Sequence, residues 1–402
     1  MSAVEAAPDG SMRYRQSIAV PFDYPVYFTR GVFDLRNSLL ADALDRLGEG
    51  RIHRVAVFLD QGLVDAWPDL PERIDTFFSA GRERLILAGR PCRVPGGESC
   101  KDGWEPALAT IRELAERRLD RQSFVVAAGG GAVLDMVGFA GSVVHRGIRM
   151  VRMPTTTLAQ NDAGIGVKTG INAHGQKNFI GTFAPPFAVI NDLDFLETLD
   201  SEHWIGGVAE AFKVGIIQDR DFFEFLREAA PALRNRASGP MERTVVRCAE
   251  LHLDHIREGN DPFEFGSARP LDFGHWAAHK LEVMSRHRLG HGFAVAAGIA
   301  LDSVYASFLG LLSSGERDRI LDGFHAAGLP TWNDLMAARK ADGTLEILGG
   351  LEDFREHLGG RLTVTLPDGI GKRVEVHEMD LGLLERGVAF LADREKRRGE
   401  TP

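Results

Sequence analysis

Cysteines are few and scattered in this sequence. Its 402 residues include three of them, Cys92, Cys100 and Cys248, and no CxxC pair. This excludes a disulfide framework or a cysteine zinc site, since both need paired or clustered thiols. Residues 1–12 also lack the apolar run of a secretory signal. These absences indicate a reducing compartment, and we expect a cytoplasmic protein.

Clustered positive charge and long hydrophobic runs are also missing. The net charge is −10, which disfavours a nucleic-acid partner because such binding depends on grouped Lys and Arg. The most apolar window, residues 124–144, contains five glycines and Asp135. That composition fits a buried strand and helix and argues against a membrane span. A negatively charged substrate would therefore need a local cationic pocket.

Strand and helix patterns alternate up to about residue 199, which predicts a parallel, doubly wound sheet. The predicted strands cover residues 20–28, 54–59, 84–88, 124–128, 149–153 and 187–190. Helical periodicity then dominates, apart from a hairpin pattern at 362–376. We predict an α/β fold with a disordered tail at 1–16, an α/β domain at 17–199 and a mainly α-helical domain at 200–402.

A triple glycine follows the most apolar predicted strand and precedes a helix. Gly129, Gly130 and Gly131 would let backbone N–H groups approach a pyrophosphate, helped by the partial positive charge of the helix N-terminus. The pattern is not GxGxxG, because Leu134 holds the last position, so a plain strand-to-helix turn is the alternative. Asp135, inside the apolar helix start, needs a partner if it is buried.

Polar groups follow the next predicted strand. Thr155 and Thr156 lie where a strand's carboxyl end faces the ligand crevice of an open α/β sheet, although turn chemistry alone also explains them. Lys168, Lys177 and Asn178 then supply two ammonium groups and an amide from a loop-rich, glycine-rich segment. These groups suit a phosphate or a carboxylate, and a solvated loop is the alternative.

Two charged residues interrupt the apolar helical pattern VAEAFKVGII. Glu210 and Lys213 stand at i and i+3, so both occupy one face of the predicted helix. An acid and a base on a buried face are costly unless they are paired or bind a metal. A structural ion pair is therefore the alternative to a functional site.

Histidines cluster in DFGHWAAH and in the segment after it. His275 and His279 are one helical turn apart, and His287 and His291 follow. Imidazoles with one carboxylate form a common catalytic zinc set. No Glu follows His275, so a zincin protease is not indicated. Spacing alone does not decide which histidines bind a metal, and core or surface histidines are the alternative.

Taken together, these motifs resemble the 3-dehydroquinate synthase family of sugar phosphate cyclases over about residues 60–298. They are GGGAVLDMVGFAG, HRGIRMVRMPTTTLAQNDAGIGVKTGIN, GQKNFIG, VAEAFKVGII, DFGHWAAH and HGFAVAAG. The resemblance implies an N-terminal NAD-binding domain, a helical metal- and substrate-binding domain, and a homodimer with its active site in the cleft. It implies a small-molecule sugar phosphate substrate, with NAD and a divalent ion, Zn²⁺ or Co²⁺, as cofactors.

The resemblance also implies a role for each matching position. The metal ligands would be Glu210, His275 and His291. The NAD region would contain Asp60, Glu98, Lys101, Gly130, Gly131, Asp135, Thr155 and Thr156. The catalytic and substrate-contacting residues would be Asp162, Lys168, Lys177, Asn178, Lys213, Asp272 and His279, and Arg146 matches an arginine that reaches into the partner subunit's site.

The implied reaction is redox-neutral overall. A substrate alcohol is transiently oxidised by NAD and phosphate is lost. The ketone is then reduced again, and an intramolecular aldol closes a carbocycle.

Several positions depart from the family pattern. His252 stands where the family has a lysine, and Ala268, with Arg269 beside it, stands where it has an arginine. Asp272 replaces an asparagine, and Arg355 in DFREHLGG is the available substitute for a C-terminal lysine. The lysine and the arginine bind the substrate carboxylate in dehydroquinate synthases. A cyclitol synthase acting on sedoheptulose 7-phosphate (2-epi-5-epi-valiolone synthase-like) is therefore an alternative, although His279 keeps the dehydroquinate-type residue.

Two other classes of protein share part of the pattern. An NAD- and metal-dependent alcohol dehydrogenase of the glycerol dehydrogenase type has the glycine turn and the PTT strand end, but does not need Lys177, Asn178 or Lys213 for a phosphate. A non-catalytic NAD-binding module would not need the Glu/His/His set.

Overall fold

The computed structural model describes residues 3–6, 12–258, 270–357 and 359–399. Near the N-terminus, strands β1 (Ala3–Ala6) and β2 (Met12–Arg15) pair antiparallel. The prediction of a disordered tail over residues 1–16 is therefore wrong for these two segments. Small polar residues dominate that stretch, but Val4 and Tyr14 are register partners, and both residue types favour strands.

The N-terminal region is built on a seven-stranded parallel sheet in the order β3-β11-β8-β7-β4-β5, with β6 also paired to β4. The strands of this region are β3 (Val26–Thr29), β4 (His53–Asp60), β5 (Leu85–Leu87), β6 (Cys92–Val94), β7 (Phe124–Gly129), β8 (Arg149–Pro154), β9 (Lys168–Ala173), β10 (Gln176–Phe183) and β11 (Ala188–Asp192). The strand order reverses between β4 and β7. Open α/β sheets bind ligands outside the carboxyl ends of the strands at such a switch point.

Helices cover both faces of this sheet. They are α1 (Leu39–Leu44), α2 (Gln61–Ala66), α3 (Leu70–Ala80), α4 (Glu105–Glu116) and α5 (Gly131–Val143). Val55 and Val126 pack towards α1 and α3, whereas Phe58 and Val125 pack towards α4 and α5. A strand buried on both faces is apolar along its whole length, which explains the FVVAAG run. The predicted doubly wound α/β fold is confirmed.

Strands β9 and β10 form a separate antiparallel pair. The prediction of a loop-rich segment around Lys168, Lys177 and Asn178 is wrong, because Lys168 begins β9 and the other two lie in β10. The pairing register shifts between Gln176 and Ile180, and Asn178 has a positive φ of 53°. Because of this bulge and the glycines of the hairpin, the sequence does not show the alternation of apolar and polar side chains that marks a strand.

Helices dominate the rest of the chain, as predicted. They are α6 (Ser201–Gln218), α7 (Arg220–Arg234), α8 (Ser238–Glu258), α9 (His275–Met284), α10 (His291–Phe308), α11 (Ser314–Ala327), α12 (Gly349–His357) and α13 (Leu381–Gly399), and the predicted hairpin comprises β12 (Val364–Pro367) and β13 (Arg373–Val376). They share one hydrophobic core. The 3-10 helix Leu193–Thr198 precedes α6, and the domain boundary near residue 200 stays a prediction. Within the described ranges, every helix is too short or too polar to cross a lipid bilayer.

Candidate active site

A cleft of about 870 Å³ lies between the carboxyl edge of the parallel sheet and the helical region. Its volume is typical of sites for small molecules and cofactors. The cleft is lined by all eight residues predicted for NAD: Asp60, Glu98, Lys101, Gly130, Gly131, Asp135, Thr155 and Thr156. It is also lined by Asp162, Lys177, Asn178, His279 and His291. Residues from both regions of the chain therefore share one cavity.

At the glycine turn, this cleft reaches the N-terminus of α5. Gly130 is the N-cap of α5, whose first backbone N–H groups have no intrahelical partner and attract anions. A Cβ on Gly131 would lie 3.1 Å from the Cβ of Ala163, so the turn has little room for a side chain. Asp60 ends β4 beside it and accepts from Gly62 N at 2.8 Å. The arrangement suits a pyrophosphate over the turn.

A partly buried hydrogen-bond network joins the predicted NAD region to β10. Lys101 Nζ donates to Asp135 Oδ2 at 2.6 Å and also to Asn178 Oδ1. Burial raises the pKa of Asp135, and the Lys101 ammonium opposes that rise. Asn172 Nδ2 donates to Glu98 Oε1 at 2.9 Å, which makes a second link to the hairpin. Asp135 thus has the partner that its buried position demands.

Glu210, His275 and His291 meet in space, with one potential ligand atom from each lying within 4.8 Å of the others. Glu210 Oε1 is 3.5 Å from the Nε2 atoms of both histidines. This oxygen is buried and accepts no hydrogen bond from any part of the chain that the structure describes. Two imidazoles and one carboxylate around an unsatisfied oxygen fit a divalent metal ion with an open position.

Each of these histidines turns its other ring nitrogen to an acceptor. His275 Nδ1 is 3.2 Å from Phe273 O, and His291 Nδ1 is 3.3 Å from Glu282 Oε1. Such contacts hold the Nδ1–H tautomer and leave Nε2 for a metal. Burial would lower the pKa of His291, but the carboxylates of Glu210 and Glu282 outweigh it and raise the pKa to about 10. A site that attracts a proton this strongly also attracts a cation.

The buried base next to this set is Lys213. Its Nζ pairs with Glu210 Oε2 on the same helix and lies 3.9 Å from Asp162 Oδ2. Burial opposes the charge on Lys213, but Glu210 and Asp162 outweigh burial and raise its pKa. The ion pair proposed as the structural alternative therefore exists, and it is part of the candidate site.

His252 contacts the far side of Asp162, with Nδ1 at 3.3 Å from Asp162 Oδ1. Burial lowers the pKa of His252 despite the nearby carboxylate, so the imidazole is neutral at pH 7. His279 is also neutral there, because burial and His275 lower its pKa to about 3. His279 lies beside Glu210, His275 and His291 but is not part of this group of potential ligands, and the assignment of the metal ligands stays a prediction.

The remaining predicted residues are more dispersed. Lys177 Nζ pairs with Glu282 Oε1 at 2.9 Å, and Asp272 acts electrostatically on both Lys213 and His279. Arg146 is exposed beyond the end of α5 and does not line the cleft of its own chain. Arg355 pairs with Glu352 on an exposed helix face. Ala268 and Arg269 lie outside the described residues.

Sequence reasoning missed two charged residues at this site. Glu282 lies on α9 two turns after His275, a position that the helical period could have flagged. Burial would raise its pKa, but His291 and Lys177 hold it well below the usual range. Arg152 is fully buried in β8 and donates to Gly166 O at 2.7 Å and to Lys168 O at 2.9 Å. An arginine inside an apolar strand was the available signal.

Glycine contacts set the spacing of the ligand-bearing helices. A Cβ on Gly292 would lie 2.1 Å from Gly206 O, and a Cβ on Gly298 would lie 2.1 Å from Gly274 O. The first contact joins α10 to α6, and the second joins α10 to the start of α9. Only glycine permits these approaches, so the relative positions of Glu210, His275 and His291 depend on them.

The fold and the site together define a class, an α/β protein with a dinucleotide-type cleft beside residues that could hold a metal ion. Profiles of the 3-dehydroquinate synthase N-terminal and C-terminal regions match residues 91–206 and 207–348. A 3-dehydroquinate synthase of Paracoccus denitrificans is 34% identical over 350 residues, covering 84% of this chain and 89% of that protein. The chain belongs to the 3-dehydroquinate synthase family. The family predicted from its motifs is confirmed.

Cyclitol synthases are similar over more of the chain. A 2-epi-5-epi-valiolone synthase of Actinoplanes sp. is 32% identical over 401 residues, which cover 96% of each protein. The structure of a 2-epi-5-epi-valiolone synthase from Streptomyces hygroscopicus subsp. jinggangensis has NAD⁺ and Zn²⁺ bound. It superposes with a TM-score of 0.83 at 29% identity, covering 94% of this chain and 99% of that one. Its two bound groups are the cofactors that the sequence predicts here.

Proposed function

We propose that this chain is an NAD- and divalent-metal-dependent sugar phosphate cyclase. As a carbon–oxygen lyase, it would eliminate phosphate from a seven-carbon sugar phosphate and close a carbocycle. The observation that carries the proposal is the convergence of three features on one cleft. The glycine turn at α5, Lys177 and His291 line it, Glu210 and His275 lie beside His291, and Lys213 lies beside the lining residue Asp162.

Different residues would bind the dinucleotide, the metal ion and the phosphate, and transfer a proton at the sugar. When bound, NAD and a divalent ion would supply reversible oxidation of a substrate alcohol and polarisation of its oxygen. The N-terminus of α5 and Asp60 would hold the dinucleotide, while Glu210, His275 and His291 would hold the ion. Lys177 and Lys168 would neutralise the phosphate. Neutral His279 can donate or accept a proton at the reacting sugar.

The environment of Asp162 supports a substrate without a carboxylate. Where the family's lysine would hold a carboxylate, this chain has a neutral His252 already engaged with Asp162. A carboxylate placed there would meet the negative charge of Asp162, and the nearby Lys213 ammonium is already shared between Glu210 and Asp162. We therefore favour a neutral-ended ketose phosphate of the sedoheptulose 7-phosphate kind. The cyclitol synthases that align along nearly the whole chain support this choice.

A phosphate-release assay with NAD⁺ and Zn²⁺ tests both levels of the proposal. Sedoheptulose 7-phosphate should release phosphate with no net change in NADH absorbance, and a seven-carbon 2-keto acid phosphate should react more slowly. Faster release from the keto acid would mean dehydroquinate synthase activity. Net NADH accumulation with a simple alcohol would mean a dehydrogenase. No release from either phosphate by metal-loaded protein would favour a non-catalytic module.

A homodimer is the second part of the proposal. Val143, Phe179 and Phe183 are exposed by 45%, 53% and 45%, and a Ser142–Thr182 hydrogen bond of 2.8 Å joins their elements. Exposed apolar side chains on two hydrogen-bonded elements are typical of an interaction surface. Arg146 follows Val143 closely, which supports its predicted reach into a partner's cleft.

Light scattering of purified variants tests the dimer. Phe183→Glu should give a monomer with low activity, whereas Leu381→Glu, at a residue 54% exposed on α13, should leave the mass unchanged. A monomeric wild type, or a dimeric Phe183→Glu, would contradict this surface.

A further inference from the structure

Glu282 lies between two site residues that come from different regions of the chain. Its Oε1 atom is 2.9 Å from Lys177 Nζ and 3.3 Å from His291 Nδ1. Lys177 belongs to the β9–β10 hairpin, whereas His291 begins α10. One carboxylate oxygen therefore contacts both a proposed substrate lysine and a proposed metal ligand.

This carboxylate is built into the protein and does not lie free at its surface. Glu282 is 4% exposed, and its backbone oxygen accepts from His287 N at 2.7 Å and from Ser285 Oγ at 2.8 Å. Its Oε2 atom is shielded from solvent and accepts no hydrogen bond from any described residue. A buried carboxylate needs compensating charge, so the charge of Glu282 is balanced through Oε1 by Lys177 and His291.

We propose that Glu282 couples phosphate binding to metal binding by sharing its charge between Lys177 and His291. The inference rests on the proposed metal centre and on the proposed role of Lys177. When a phosphate pairs with Lys177, Glu282 interacts with His291 alone. A carboxylate that holds Nδ1–H more strongly makes Nε2 a better ligand. Because coupling is reciprocal, a bound metal ion must favour phosphate by the same factor.

Direct attraction between a metal ion and a phosphate also couples the two binding events. Glu282→Gln separates this effect from the shared carboxylate, because the amide keeps the size and an acceptor but loses the charge. Lys177→Met separates the same two effects by removing the lysine and leaving the carboxylate of Glu282 in place. Without its lysine partner, Glu282 should hold His291 fully even when phosphate is absent.

The test uses the full chain with NAD⁺, stripped of metal and titrated with Zn²⁺ against a chromogenic chelator, with and without inorganic phosphate. In the wild type, phosphate should tighten Zn²⁺ binding severalfold. Glu282→Gln should weaken Zn²⁺ binding roughly 10- to 100-fold and reduce the phosphate effect. Lys177→Met should bind Zn²⁺ at least as tightly as the wild type without phosphate, and phosphate should add little.

Asp353 on α12 provides a matched control, because it is a carboxylate that pairs with a lysine of α9, the helix that carries Glu282. Its Oδ2 atom pairs with Lys280 Nζ at 2.9 Å, outside the cleft and with its side chain 66% exposed. Asp353→Asn should leave both Zn²⁺ affinity and the phosphate effect unchanged. Glu282→Asp, which keeps the charge on a shorter side chain, should recover part of the lost affinity.

The outcomes separate this inference from the proposed function. A wild type that binds no Zn²⁺ overturns the metal centre itself. A wild type that binds Zn²⁺, with a Glu282→Gln variant equal to it in affinity and in phosphate effect, overturns only the role of Glu282. If Glu282→Gln does not fold, a wild-type phosphate effect in Lys177→Met overturns it equally.

Discussion

Replacement of Gly292 by alanine should disturb the metal site without touching a ligand. A Cβ there would lie 2.1 Å from Gly206 O, and the next nearest atoms are also backbone. Ordinary van der Waals contact begins near 3.4 Å. Because protein interiors are closely packed and leave little free volume, α6 and α10 must separate by roughly 1 Å. No flexible side chain can absorb the change.

This displacement acts directly on the proposed ligands. Glu210 lies on α6 and His291 is the residue before Gly292, so their separation follows the helix spacing. Metal–ligand distances tolerate changes of only about 0.2 Å. We expect Gly292→Ala to weaken Zn²⁺ binding by at least about 10-fold and to lower the free energy of unfolding by about 1–3 kcal/mol, as overpacking does.

Chelator-competition titration and urea unfolding measure these two effects. Gly315→Ala is the control, because Gly315 lies in the first turn of α11 with nothing within 4 Å of its added Cβ. It should change stability by no more than about 1 kcal/mol and leave Zn²⁺ affinity unaltered. If Gly292→Ala binds Zn²⁺ like the wild type, the glycine contact does not set the metal geometry and the reasoning fails.

Substitutions at three further residues test other parts of the site. His275→Ala should abolish both metal content, measured by elemental analysis, and turnover; metal retained with full activity would contradict the ligand assignment. Lys177→Ala should raise the KM for the sugar phosphate and leave NAD⁺ affinity, measured by fluorescence titration, nearly intact; equal losses would show that the hairpin is misassigned. Arg152→Met should also raise that KM, because two charged-donor hydrogen bonds of about 1.5–3 kcal/mol each hold the segment before Lys168. An Arg152→Lys variant should not restore it, since one ammonium group cannot reproduce the guanidinium fork, and an unchanged KM in either variant would refute the role.

Local sequence patterns predicted the fold class and many of the site residues that line the cleft. The run FVVAAGGG predicts strand, turn and helix from adjacent residues, and the structure has β7, the turn and α5 there. Lys168 and Asn178 were predicted in a loop-rich segment, whereas they lie in strands β9 and β10. The pairing of β9 with β10 holds them in place. A bulge in that pairing breaks the alternation of side chains that marks a strand in a sequence. Pairing of this kind depends on packing against α5, which a local pattern does not contain.

The sequence by itself determined the parallel sheet, the glycine turn, the helical second half and the set of chemical groups available for the site. Only the tertiary structure shows that His275 and His291 lie against Glu210, that His252 contacts Asp162, and that Glu282 connects Lys177 to His291. The physical reason is that periodicity places residues on one face of a single element. Distances between side chains on different helices depend on how those helices approach, and here backbone contacts at glycines set that approach.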